Sequence, residues 1–382
     1  MKEPLLREPL RLPLAFFASG MAALLFQVLW FRALGRVLGN TVWTATLVLT
    51  AFMLGMAIGG LLAARWARRI RNPARAFALA EITVALTGSL LVLGLPMLEP
   101  LVGQWLAPLA DRPTVVAAVR MALAFVAMLV PTIAMGLTLA LGVRIRAHHE
   151  TTRALGLLYA ANTFGACLAP LVAEYYLIGA LGLRGTALVA AGLNLVAAGL
   201  ALGQSAGTAS LPAPATGLRG FPKRLLLAAA VTGGIALALE VIWFRLLILY
   251  APGSDLVFAL MLTVVLFGIA IGAAIAPLLA RLPLAWVTAA SSFAVVAGYL
   301  VVGRTSGSGA PDLISLSVTL ILPASILSGS LFTLLGAQLR ADARNPQPAI
   351  GILTTANTLG SAIGAALAGL VLLPRLGMEW SL

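Results

Sequence analysis

Two stretches of the chain are copies of one another. The first reads Gly20-Met-Ala-Ala-Leu-Leu-Phe-Gln27-Val-Leu-Trp30-Phe31-Arg32, and the second Gly233-Gly-Ile-Ala-Leu-Ala-Leu-Glu240-Val-Ile-Trp243-Phe244-Arg245. The offset of 213 persists downstream, so that Gly55 and Gly59 fall on Gly268 and Gly272, and Arg68 on Arg281. A second pair follows at an offset of 195. Leu155-Gly-Leu-Leu-Tyr-Ala-Ala-Asn162-Thr163-Phe-Gly165 is echoed by Ile350-Gly-Ile-Leu-Thr-Thr-Ala-Asn357-Thr358-Leu-Gly360. An internal duplication limits the fold to architectures built from two like units.

The solvent for those units is lipid. Of 382 residues, 61% are hydrophobic and 10% charged, whereas a water-soluble domain carries roughly a quarter charged residues. A spanning helix needs roughly 20 mostly apolar residues. That length places helices over about 13–34, 41–64, 76–97, 115–142, 154–178 and 182–203, then 224–248, 256–280, 283–302, 313–338 and 349–373. The first apolar run is too long, and lacks the small-residue site, for a cleaved signal peptide. The stretch 204–222, rich in Ala, Gly, Pro, Ser and Thr, reads as a cytoplasmic linker between an N-terminal six-helix bundle, 1–203, and a C-terminal bundle, 223–382. In the repeat register Leu181-Gly-Leu falls on Leu376-Gly-Met. The second bundle is therefore expected to lack its sixth helix, leaving about 11 helices and a chain that is a fragment of a longer one.

Orientation follows from the arginines. Arg65, Arg68, Arg69, Arg71 and Arg75 lie between helices two and three, and Arg144, Arg146 and Arg153 between four and five. Arg219, Lys223 and Arg224 close the linker, and Arg281, Arg340 and Arg344 follow helices eight and ten. The alternate loops hold Glu99, Asp111, Asp255, Asp312 and Glu379. The positive-inside rule puts the N-terminus and the linker in the cytoplasm, as expected for a multi-pass protein of a bacterial inner membrane. Six helices is an even number, so both halves enter from the same side. The fold expected is an all-α polytopic membrane protein of two parallel repeats.

The net charge of +13 marks no nucleic-acid surface, because the basic residues sit in short clusters between apolar runs. Cys167 is the single cysteine, so no disulfide, zinc site or redox pair is expected. His148 and His149 precede Glu150 in a basic loop, where solvation is the simpler reading than metal binding. No cofactor is implied. No Ser-His-acid set falls within the helices, so an intramembrane enzyme is not expected.

The stretch from Gly60 through Ala64, Arg65, Ala67, Arg68 and Arg69 resembles the signature that major facilitator transporters carry between helices two and three. The family's aspartate is replaced by Ala64 and its second glycine by Ala67, so the family's charge lock is not built from these residues. A narrower resemblance runs through Phe26 to Arg32, Ala51 to Gly60, Leu158 to Ala166 and Leu181 to Leu195. These pieces are similar to the membrane region of fused major-facilitator/spermidine-synthase proteins. That resemblance implies a transporter-like module, a polyamine-like solute, and a soluble aminopropyltransferase-like domain in cis. Nothing in these residues supplies that enzyme, and Gly303-Arg-Thr-Ser-Gly-Ser-Gly reads as a loop rather than a cofactor cradle.

Ionisable groups at membrane depth are costly and mark functional positions by default. Glu240 lies in helix seven with apolar neighbours on both sides, and Gln27 is its repeat mate. If both point inward they face one another across the pseudo-two-fold axis. The alternative for Glu240 is a structural ion pair with Arg120 or Arg245. Arg32 and Arg245, each after a Trp-Phe pair, read as interfacial anchors, although an anchor does not need the whole motif twice. Arg120 and Glu174 are expected to pair with each other. Glu81 is expected to reach the headgroups, and Asn162 and Asn357 to hydrogen-bond between helices. The candidate solute-binding set is thus Glu240, Gln27, Arg32, Arg245, Asn162 and Asn357, and the structural pair or gate set is Arg120, Glu174, Arg65, Arg68 and Arg69. The expected partners are the bilayer and a small solute, which the resemblance implies to be cationic and polyamine-like. The alternative function is a membrane anchor or substrate-presenting module for the aminopropyltransferase domain.

Overall fold

The computed structural model describes residues 10–378 apart from 40, 67–68, 146–150, 204–222, 252–254, 306–311 and 343–345. Arg68, the two histidines and the linker lie outside the described residues, as do the side chains of Arg144, Arg153 and Arg340.

Eleven long helices follow in order: α1 (Arg11–Leu38), α2 (Val42–Trp66), α3 (Pro73–Leu106), α4 (Pro113–Ile145), α5 (Thr151–Val172), α6 (Ile178–Leu202), α7 (Lys223–Tyr250), α8 (Leu256–Leu279), α9 (Leu284–Thr305), α10 (Leu313–Asp342) and α11 (Pro346–Leu367). Among the described residues, ten helical segments are long and apolar enough to cross a membrane. Local chemistry sets the ends. Asn72 accepts from the Arg75 amide and Pro73 follows at the first helical position, which starts α3 three residues earlier than hydropathy suggests. At the other end α3 continues through Pro96 and Pro100 to Leu106, well beyond the expected limit of 97.

The duplication extends to backbone detail. A π-helical segment, Ala173–Leu177, follows α5, and another, Ala368–Leu372, follows α11, again at the offset of 195. Gly182 (φ 66°, ψ −178°) breaks the helical path at the head of α6, and Gly377 (φ 72°, ψ −176°) repeats that conformation. Only glycine populates this region readily, so both turns demand it.

Small residues decide which helices touch. α1 packs on α5 as α7 packs on α11, and α2 on α4 as α8 on α10. Gly20 lies against Asn162 and Gly233 against Asn357; Gly59 meets Ile133 and Gly136, and Gly272 meets Ile326 and Ser330. Across the halves, α2 packs on α11 and α5 on α8. The two-fold that exchanges α2 with α8 and α5 with α11 maps this interface onto itself, as a parallel repeat requires.

The ends of the bundle differ. At the end where α1 and α7 begin, here the basic end, Leu12, Ala15, Phe16, Phe77, Leu141 and Leu158 form a core within the first half. Ala229, Leu335, Leu339 and Leu353 form a separate one within the second. At the distal end one continuous core takes residues from both halves, including Leu25–Leu34 of α1, Leu47–Phe52 of α2, Leu237–Leu247 of α7 and Val257–Val265 of α8. The halves are joined at the distal end and keep separate cores at the basic end.

The backbone contacts are too close to accept side chains. Gly59→Val drives a side chain into the α4 backbone, a kind of overpacking that costs about 1–3 kcal/mol. We expect a lower thermal midpoint in detergent for Gly59→Val. Gly192→Ala, where no atom lies within 4 Å of an added Cβ, is expected to leave the midpoint unchanged or raise it.

Candidate functional site

The two Trp-Phe-Arg motifs converge at the distal junction. Phe31 of α1 and Phe244 of α7 meet edge-to-face with centroids 5.5 Å apart. Phe258 of α8 stacks on Phe31 at 4.1 Å and meets Phe244 edge-on at 5.9 Å. All three rings are buried. Such geometries add to the burial of the rings themselves, and here they join one half to the other.

Beside this plug, Arg32 holds two carboxylates. Its Nη1 donates to Glu174 Oε1 at 3.1 Å and Oε2 at 3.2 Å, and its Nε lies 2.7 Å from Asp255 Oδ2. Glu174 belongs to the first half and sits in the π-helical segment after α5, where the widened turn offsets it from a regular helical face. Asp255 belongs to the second half and precedes α8. The planar guanidinium presents donors in two directions, so one arginine bridges both halves. Lysine has no such fork. The group as a whole carries one more carboxylate than cation.

One helical turn from the plug toward the basic end lie Gln27 and Glu240. Residues four apart share a helix face. Because Phe31 faces Phe244, Gln27 and Glu240 are on the faces of α1 and α7 that approach each other. Both are buried, Gln27 at 2% and Glu240 at 5% relative exposure. Among the described residues no hydrogen bond or ion pair reaches the Glu240 carboxyl. The geometry thus leaves the Glu240 carboxyl without a partner, buried one helical turn from the aromatic and ionic junction that joins the halves.

Several expectations are corrected by this arrangement. Glu174 pairs with Arg32 rather than Arg120, because α4 packs on α2 and α3 and carries Arg120 away from α5. Arg120 instead lines a cavity at the distal ends of α1 and α3, and it does not meet Glu240. Arg32 is not a free interfacial anchor, since its guanidinium is engaged by two acids. Its repeat mate Arg245 is exposed, and the positions matching Glu174 and Asp255 are Gly369 and Val42. Glu81 does not reach headgroups. It is buried between α1 and α3 and accepts from Ser19 Oγ at 2.6 Å. Asn357 donates to the Ala229 carbonyl at 3.0 Å, a helix-to-helix bond, and Asn162 lies against Gly20 in the matching place. Both asparagines sit on intra-half contacts. Arg65 and Arg69 are exposed at the basic end. Asp255 and Phe258 were missed by sequence reading, Asp255 because a loop acid has no depth signal. Phe258 has no aromatic mate, since Ala45 occupies the matching position.

No protein-family model matches the sequence, and no curated protein matches it. Solved structures do match the fold. A mutant of the nucleoside transporter NupG superposes with a TM-score of 0.67 at 13% identity, covering 97% of this chain and 94% of that one. An auto-inhibited POT family peptide transporter gives 0.55 at 14% identity, covering 97% and 90%. A variant of the E. coli fucose:proton symporter FucP gives 0.52 at 15% identity, covering 97% and 93%. The chain has the fold of major facilitator-type transporters.

If Arg32 ties the halves together, its effect depends on Asp255. A double-mutant cycle of Arg32→Gln and Asp255→Asn on thermal stability is expected to return a coupling of about 1–2 kcal/mol, within the range for residues in direct contact. Arg245→Gln should stay within about 0.5 kcal/mol of the parent protein, as for exposed positions. A coupling near zero would show that the bridge carries no inter-half energy.

Proposed function

We propose that this protein is a membrane transporter that works by alternating access and carries a small cationic solute, with Glu240 as the group that meets the positive charge and Gln27 as a polar partner opposite. The observation that carries this reading is the unpartnered Glu240 carboxyl, buried one helical turn from the distal junction where the two halves share one core. A two-bundle fold of this kind exposes its centre by rocking one half against the other. With the basic end in the cytoplasm, the distal junction is the outer gate. Arg32, Glu174 and Asp255 close the gate, and Phe31, Phe244 and Phe258 seal it against water.

Charge favours a cation. The only described cation in the gate, Arg32, is already outnumbered by its two acids, and Glu240 adds a third carboxyl on the same path. The resemblance of Leu158 to Ala166 and its companion pieces to the spermidine-synthase fusions favours a polyamine-like amine. The same resemblance supports a second reading, in which the module presents an amine to a soluble aminopropyltransferase domain.

Uptake of radiolabelled putrescine and spermidine into proteoliposomes tests the proposal. Flux is expected for the parent protein and a loss of tenfold or more for Glu240→Gln, because removing one member of a buried charge pair costs about 2 kcal/mol or more. Flux unchanged by Glu240→Gln would remove this residue from the mechanism. Saturable binding of amines without flux would favour the presenting module instead.

A further inference from the structure

The first half carries a second candidate site, on its distal surface and away from the inter-half path. A cavity of about 420 Å³ lies between the ends of α1 and α3 and the start of α4. Its walls are apolar: Val37 and Leu38 from α1, Leu106 from the end of α3, Ala110 from the turn that follows, Val116 and Ala117 from α4. The one charged residue in the lining is Arg120. Its Nε is dry and has no hydrogen-bond partner. That donor is shut away from the cavity, so the terminal Nη atoms are the ones left to take two oxygens of one anion at once. The neighbouring turn contributes no excess charge, since Asp111 and Arg112 are adjacent and both exposed.

The location identifies the anion's carrier. α3 has 34 residues and α4 has 33, so each is about 50 Å long at 1.5 Å per residue. The hydrocarbon of a bilayer is roughly 30 Å thick, and the distal ends of both helices therefore extend into the headgroup layer. There α3 presents Met97, Leu98, Leu101 and Trp105 outward, the tryptophan 80% exposed, as an interfacial aromatic does. The cavity thus opens at the depth of lipid phosphates, with a cation at its base, and the exposed Leu123 and Val126 continue the apolar surface of α4 below it.

We propose that this cavity binds the phosphodiester of an anionic phospholipid from the distal leaflet, with Arg120 gripping two phosphate oxygens and the acyl chains descending over the exposed Leu123 and Val126 of α4. A net negative headgroup is favoured over a zwitterionic one because no unpaired acid lines the cavity to receive a choline. The site is independent of Glu240 and of any transport activity.

The full chain, purified in detergent and titrated with phosphatidylglycerol under native mass spectrometry, tests this. Phosphatidylglycerol is expected to bind at least fivefold more tightly than phosphatidylcholine. Arg120→Gln should weaken it about tenfold, and Arg120→Lys should restore only part, since lysine cannot make the paired contact. Ala117→Phe, which fills the cavity and keeps the charge, should weaken binding as much as Arg120→Gln does. Arg112→Gln should stay within twofold, and unchanged thermal midpoints establish that each variant is folded. Equal phosphatidylglycerol binding by Arg120→Gln and the parent would overturn the proposal. So would competition by glycerol phosphate at concentrations equal to the lipid, which would mean that the cavity takes a free anion.

Discussion

In lipid no hydrophobic force draws one helix to another, because acyl chains are as apolar as leucine. What holds this bundle is close backbone approach at small residues. Gly20 against Asn162, Gly165 against Phe17, and Gly59 against Gly136 bring helices of the first half into direct contact. Gly233 against Asn357, Gly360 against Ala230, and Gly272 against Ile326 do so in the second. Each half is thereby fixed internally by contacts that tolerate no side chain. Packed cores of this kind are bistable rather than continuously deformable. Motion is left to the surface between the halves.

That surface is where the two copies have diverged. The glycine contacts of Gly20 and Gly233, the π-helical segments and the positive-φ turns at Gly182 and Gly377 recur in both halves. The ionic groups are not. Arg32 has two acids and Arg245 has none at the matching positions, while the repeat mate of Gln27 is the glutamate Glu240. The scaffold is thus symmetric and its charges are not. The distal junction combines a directional ionic bridge with non-directional ring packing.

Much of this was legible in the sequence, for identifiable reasons. Spacing survives duplication, so Gly20 with Gly233 and Asn162 with Asn357 gave the repeat, its register and the parallel arrangement. Turn glycines survive too, which is why Leu181-Gly-Leu and Leu376-Gly-Met aligned before any angle was known. Partnerships in space were not legible. Glu174 and Arg120 looked paired because both lie in distal halves of consecutive helices, yet α4 turns away toward α2 and α3. Glu81 looked interfacial because hydropathy started α3 too late. The Asn72 cap sets that start earlier, and with Ser19 of α1 as its partner the carboxyl is held inside. Asp255 carried no signal at all, since its role arises only when α8 is placed beside α5.

The most direct test of two rigid halves hinged around a closed distal junction is a pair of distances read in one sample. Spin labels in a Cys167→Ser background, at Met97 and Ile314 for the distal end and at Leu14 and Leu227 for the basic end, report each opening by pulsed electron resonance; all four positions are exposed. Removing the ionic bridge with Arg32→Gln should lengthen the distal distance and shorten the basic one together, as rocking requires. A distal distance that lengthens while the basic one stays fixed, or two distances that grow in parallel, would contradict alternating access in this protein.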